Sequence, residues 1–240
     1  MTTAEKIMQA CEAKHIVLSP LQGQQLADYM VGLLDINRSI NLTRIVEEDE
    51  FIEKNIVDSL MLTVQTAPEP KTILDLGTGG GFPGVPLAIY YPQAQVTLVD
   101  GTAKKLRAVS ELCDQIGLSN VSTIHARGEV LAHDKKHRQR YDWVAARAVA
   151  NMAILSEICL PFLRKGGVFF AMKGENYREE LAFGDKSIAI NGGRLEEITP
   201  YFLLQREVLH VIIRVIKEKK TPARYPRPFK KIKEQYGTLS

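Results

Sequence analysis

The chain has 240 residues, 45% hydrophobic and 25% charged, with a formal net charge of +3, which suits one globular domain of ordinary size with a modest extension. The first residues lack the apolar stretch of a signal peptide. The most apolar run, residues 208–216, carries His210 and Arg214 and is too short to span a bilayer, so a membrane is excluded. Cys11, Cys113 and Cys159 form no CxxC pair and the 5 histidines no HxxxH or HExxH pair, which fits a cytoplasmic protein with reduced thiols and no metal.

In chain order, amphipathic helices come first. Residues 22–36 place Leu26, Tyr29, Met30, Leu33 and Leu34 at helical spacing, and residues 48–64 do the same with Phe51, Ile52, Ile56, Leu60 and Met61. Pro68 and Pro70 close this region. From Lys71 the rhythm changes to short apolar runs, at residues 72–76, 95–99, 121–124, 143–146 and 167–172. Helical stretches at 102–116, 151–160 and 177–188 separate several of them. Strands alternating with helices predict βαβ units and a doubly wound, mainly parallel sheet. After Gly192-Gly193, runs at 194–198 and 208–216 fit a hairpin with an antiparallel edge strand. The expected organisation is an N-terminal helical extension over 1–70 packed on the main domain, an α/β domain over 71–216 and a basic tail over 217–240.

Charge is unevenly spread along this plan. Residues 1–70 hold 5 Lys/Arg against 11 Asp/Glu, whereas residues 201–240 hold 10 against 3. So basic an end points to a polyanion, or else to a solvated terminal segment.

The strongest motif is Asp75-Leu76-Gly77-Thr78-Gly79-Gly80-Gly81-Phe82-Pro83-Gly84, directly after the first strand. Glycines there let a ligand lie against the backbone at the carboxyl edge of the sheet. Gly79, Gly81 and Gly84 also satisfy GxGxxG, and Asp100, at the end of the second strand, would face the ribose of either a dinucleotide or S-adenosylmethionine (AdoMet). Two details favour AdoMet. Pro83 and Pro86 remove N–H donors that a pyrophosphate needs at the helix start, and the Asp75 carboxylate would repel a phosphate but attract the cationic methionine end. Gly101 and Thr102 follow Asp100 in the same expected cofactor loop. After the third strand, Gly128 and Glu129 are placed to meet the adenine ring, although Glu129 would also suit a helix start through its dipole.

The loop after the fourth strand, Ala145-Ala146-Arg147-Ala148-Val149-Ala150, lacks both an Asn-Pro-Pro-Tyr type of amine-binding loop and a Pro-Cys nucleophile. Its one strong polar group, Arg147, suits contact with substrate or cofactor, or pairing with an acid such as Asp142.

Together these motifs resemble the glucose-inhibited division protein B family, bacterial methyltransferases acting on a guanine N7 of 16S ribosomal RNA. The resemblance runs from about Asn37 to Arg227. It rests on Ile40-Asn41-Leu42-Thr43, Asp58-Ser59-Leu60, the loop from Asp75 to Pro86, Asp100, Arg127-Gly128-Glu129, Arg147-Ala148-Val149-Ala150, Lys173-Gly174 and Tyr225-Pro226-Arg227. Gly128 stands where the family usually has alanine and Asn55 where histidine is common. After Arg227 the usual glycine-containing ending is missing. The resemblance implies a class I AdoMet-methyltransferase fold and cofactor contacts at Gly77, Phe82, the Asp100 end of strand two, Gly128, Glu129 and Arg147. It also implies 16S RNA, or the small ribosomal subunit, as partner. Arg147 and Lys173 would position the substrate, with no residue acting as acid or base. Lys173, Arg206, Arg224, Arg227, Lys230 and Lys231 would bind RNA. The wider basic run from Lys217 to Lys233 would track phosphates while Tyr225 and Phe229 stack on bases. A non-catalytic AdoMet-binding regulator and a small-molecule methyltransferase are the rival readings.

Overall fold

The computed structural model describes residues 1–147, 150–203 and 209–237. It opens with α1 (Thr3–Glu12) and α2 (Pro20–Asn37), each started by a reciprocal cap, Thr2 with Glu5 and Ser19 with Gln22. One helical run then passes through α3 (Glu48–Phe51), a π-helical turn (Ile52–Val57) and α4 (Asp58–Leu60). It stops short of the expected residue 64. Thr63 Oγ1 and Gln65 Nε2 bond the Leu60 and Met61 carbonyls, so side chains rather than further helix satisfy them.

The α/β part follows as β1 (Thr72–Leu76), α5 (Gly84–Tyr90), β2 (Gln95–Asp100), α6 (Ala103–Gln115), β3 (Val121–His125), α7 (Gly128–Leu131) and β4 (Tyr141–Arg147). It continues with α8 (Met152–Cys159), β5 (Leu163–Lys173), α9 (Tyr177–Ile190), β6 (Gly193–Phe202), β7 (Leu209–Lys217) and α10 (Phe229–Tyr236). The seven strands form one sheet in the order β3-β2-β1-β4-β5-β7-β6. β1 to β5 are parallel, and β7 enters between β5 and β6, antiparallel to both. The hairpin expected near the C-terminus is thus the antiparallel edge of the sheet. Outermost β6 accommodates Pro200, which an interior strand would not.

Alternation along the strands divides the core in two. Ile73, Trp143, Ala145 and Phe170 face a core shared with α1, α2, α5 and α6. Leu74, Val144, Ala146 and Phe169 face the core under α8, α9 and α10. Leu26, Tyr29 and Leu33 of α2 therefore pack in the same cluster as Leu106 and Leu112 of α6. The chain winds outward from β1 through β2 to β3, then crosses back to β4. This creates a switch point between β1 and β4, where open α/β sheets bind ligands.

Candidate active site

Gly77 and Gly79 adopt φ of 76° and 58°, so the chain can turn out of β1 within a few residues. Gly79 N–H donates to Asp100 Oδ2 at 3.0 Å, and Thr102 N–H to Asp100 Oδ1 at 2.8 Å. One carboxylate thereby ties together the loops after β1 and β2. Beside it, Gly77, Asp100, Gly101, Gly128 and Glu129 line a cavity of about 210 Å³ whose apolar wall includes Val99, Ile154 and Ile158. Gly79 and Thr102 do not line it, and their amides donate to Asp100.

Asp75 is placed differently from its expected place at the methionine end. It is fully buried, and its Oδ2 accepts from Thr78 Oγ1 at 2.6 Å and from Gly84 N at 2.8 Å. Burial pushes its carboxyl up to about 6, against the pull of those two bonds. Its work in this structure is to hold the loop in shape. The helix that follows offers a phosphate nothing: Gly84 N–H is on Asp75, Val85 N–H is on the Gly81 carbonyl, and residue 86 is proline. The start of this helix therefore has no free donor for a pyrophosphate. Phe82 lies in the core, edge-on to Tyr29 and Phe51 at centroid distances of 6.0 and 5.6 Å, so it backs the loop and does not line the cavity.

A second cavity of about 840 Å³ adjoins the first, and Ala150 lines both. Arg147 reaches it from the end of β4. The Arg147 guanidinium donates to the Lys54 carbonyl at 2.5 Å, Asn55 Oδ1 at 2.9 Å and Asp58 Oδ2 at 3.1 Å, and lies over the Phe82 ring. All three acceptors belong to the π-helical turn or the residue after it. The acid partner of Arg147 is therefore Asp58 and not Asp142, which instead pairs with Arg164 and accepts from the Lys71 and Thr72 amides. Asp58 Oδ1 also accepts from Tyr201 Oη at 2.5 Å and faces His210 Nδ1 at 3.3 Å. Burial opposes ionisation of Asp58, but the bonds from His210 and Tyr201 and the Arg147 charge outweigh it and hold its carboxyl below the usual range. Lys173 is nearly buried, paired with Glu180 at 2.5 Å and bonded to the Ala150 carbonyl.

Asp58, Tyr201 and His210 were not among the site residues expected from sequence. Asp58 lies on a helix 143 residues before Tyr201, which pairs with His210 in the edge hairpin, and only Asp58 lay in a motif, Asp58-Ser59-Leu60. Ala148 and Val149 of the acceptor loop, and Arg206, lie outside the described residues.

Comparison with known proteins decides the family. The family model for GidB, rRNA small subunit methyltransferase G, matches residues 22–209. Ribosomal RNA small subunit methyltransferase G of Clostridium botulinum (strain ATCC 19397 / Type A) is 38% identical over 223 residues, 92% of this chain and 93% of that one. The protein of the same name from Oceanobacillus iheyensis is 38% identical over 224 residues, 93% and 94% of the two chains. The chain belongs to this family. Among solved structures, M. jannaschii TYW2 in complex with AdoMet aligns with a TM-score of 0.54 at 19% identity. The alignment covers 68% of this chain and 76% of that one and shows the shared fold.

Against the family expectation for the basic tail, the structure makes several corrections. Lys217 is buried, with its Nζ on the Asn191 carbonyl and Thr221 Oγ1. Burial, with the nearby Arg138 charge, lowers it to about 7. No phosphate can reach it. Arg227 is spent on Glu157, with Nη2 to Oε2 at 2.6 Å, and its ring contacts are Tyr225 and Tyr236. Tyr225 carries Arg224 and Arg227 on its ring, and Phe229 lines the smaller cavity, so neither is free to stack on a base. Arg224, Lys230 and Lys231 are exposed. The basic tail, expected to meet a polyanion or else to be solvated, ends in a docked helix, with Ile232 and Tyr236 buried in the core. Among the described residues no helix is long and apolar enough to cross a membrane.

Proposed function

We propose that the chain transfers the AdoMet methyl group to N7 of a guanine in the decoding-region loop of 16S rRNA, by direct in-line attack without a general base. Family membership supports methylation of small-subunit rRNA, and the motif resemblance supports AdoMet as donor and guanine N7 as acceptor. The partner is 16S rRNA, free or within the small ribosomal subunit, in the cytoplasm. The regulator and small-molecule readings leave that membership without account.

The observation that supports the mechanism is the meeting of the two cavities at Ala150. Gly77, Asp100, Gly101, Gly128 and Glu129 would hold the cofactor on one side, and Arg147 and Lys173 border the space for the base on the other. Bound there, AdoMet supplies an electrophilic methyl group on a sulfonium sulfur. Guanine N7 has a free lone pair at neutral pH, so accepting the methyl requires no proton removal. The side chains agree with this. Asp58 and Glu180 are ion-paired with Arg147 and Lys173, His210 turns its Nδ1 to Asp58 at 3.3 Å, and the remaining acid on the wall, Glu179, is exposed. With no proton to move, the protein's contribution is orientation, for which effective molarities reach ~10⁵–10⁸ M.

Single-turnover rates at saturating RNA and AdoMet test this. They should be nearly flat between about pH 6 and 8.5, where a base-catalysed step shows a titration. Borohydride and aniline cleavage should place the new methyl on a guanine N7. A clear ionisation in the chemical step, or methyl on an exocyclic amine or a ribose oxygen, would overturn the mechanism.

A further inference from the structure

We propose that Phe229 is a cofactor-binding residue, carried into the cofactor cavity by α10 to close its adenine end. The inference rests on reading that cavity as the AdoMet site.

Phe229 is the first residue of α10. Ile232, one turn on, is fully buried and Tyr236 nearly so, so this face of the helix is turned inward. Phe229 shares the cavity wall with Ile154 and Ile158, from the helix on which α10 docks. The Arg127 guanidinium lies over its ring at 4.8 Å, and Arg127 directly precedes Gly128 and Glu129, the expected neighbours of the adenine. A flat, weakly polar heterocycle needs such a wall, with apolar side chains and a ring beside backbone polar groups.

The segment is also held too firmly to be a solvated end. Glu157, in the middle of α8, is fully buried. It accepts from Arg227 N at 2.8 Å, Nε at 2.9 Å and Nη2 at 2.6 Å. Asn151 Nδ2 donates to the Tyr236 carbonyl at 2.9 Å, and Arg138 to the Tyr225 carbonyl at 3.0 Å. These bonds flank Phe229 on both sides and fix where its ring stands. Asn151 also caps α8 immediately after the acceptor loop, which joins the tail to the second cavity as well. Phe229 thus belongs to the pocket, while Lys230 and Lys231 beside it face solvent.

Calorimetry on the full chain tests the assignment with three ligands that share adenosine: AdoMet, S-adenosylhomocysteine and 5′-methylthioadenosine, which lacks the amino-acid end. Phe229→Ala should weaken all three by the same factor, about tenfold, the scale of one base–aromatic contact. Phe229→Tyr should stay within about twofold of wild type. Phe229→Trp gives a readout that needs no loss of affinity: methylthioadenosine should change its emission, while the native Trp143, buried with its Nε1 on the Pro68 carbonyl, gives the background. Unchanged affinity in Phe229→Ala together with a silent Phe229→Trp would overturn the proposal. So would a loss confined to AdoMet and S-adenosylhomocysteine, which would place the ring at the methionine end. Failure of the wild-type chain to bind any of the three would instead overturn the cofactor reading, and this inference with it.

Discussion

The two cavities that meet at Ala150 are built in opposite ways. The smaller cavity, which we propose holds the cofactor, takes its polar wall from glycine-bearing loops that each follow a strand, with Asp100 tying two of them together. The second cavity is made of side chains: Asn55 and Asp58 from the helical run, Arg147 from β4, Tyr201 and His210 from the edge hairpin. A backbone-built site suffers when a Cβ is added. A side-chain node suffers when a charge is removed. Each cavity should therefore have its own sensitivity to mutation.

The largest expected effect is at the node. Asp58→Ala removes the partner of Arg147 and leaves the Tyr201 hydroxyl without its buried acceptor. Removing one partner of a buried ion pair costs about 3–5 kcal/mol, so the urea midpoint should fall accordingly and activity with it. A loss under ~1 kcal/mol would mean that the node does not hold the helical run to the sheet. Next comes Gly81→Ala, on the cofactor side. Its φ is +87°, and an added Cβ would stand 2.2 Å from Tyr29 Oη, whose hydroxyl donates to the Gly80 carbonyl. Left-handed strain with overpacking suggests about 2–4 kcal/mol of destabilisation and weaker AdoMet binding. Normal stability and affinity in this variant would remove the claim that backbone space shapes the loop.

The same contrast explains what could be read from the sequence. β1 was found with its observed limits, because an apolar run followed by glycines is a local signal. Gly77, Asp100, Gly101, Gly128 and Glu129 stood out for the same reason, each following a strand, and the structure gathers them around one cavity. The node was not, since its members are separated by up to 155 residues of chain, from Asn55 to His210, and no spacing rule relates them. Arg147 was noticed as the polar group in its loop, but its acid was sought nearby at Asp142 and lies at Asp58. The tail was legible only in part. Its lysines and arginines suggested a segment that is solvated or faces RNA, and Lys219, Lys220, Arg224, Lys230, Lys231 and Lys233 are exposed. Yet Ile232 and Tyr236 stand at helical spacing among them and dock, and Lys217 and Arg227 are held by buried partners.

The smallest effect separates the two kinds of site through one residue. Asp75 is a fully buried side chain in the backbone-built region, and both its bonds serve the loop itself. Burial raises its carboxyl to about 6, whereas an unfolded aspartate titrates near ~3.9. Between about pH 4 and 6 the folded chain therefore binds a proton that the unfolded chain has lost, so the stability this group contributes is complete below the unfolded value and falls away as pH rises through 6. Asparagine has nearly the same shape and one oxygen able to accept from both Thr78 and Gly84, as Oδ2 does now, but it cannot ionise. The difference in unfolding free energy between Asp75→Asn and wild type should therefore move in the variant's favour by about 1–3 kcal/mol from pH 4 to pH 7, then stay level. Urea titrations across that range measure it. Parallel curves would show that Asp75 is not held in a desolvated site, whereas a difference that grows toward low pH would show a carboxylate stabilised by its partners, as at Asp58.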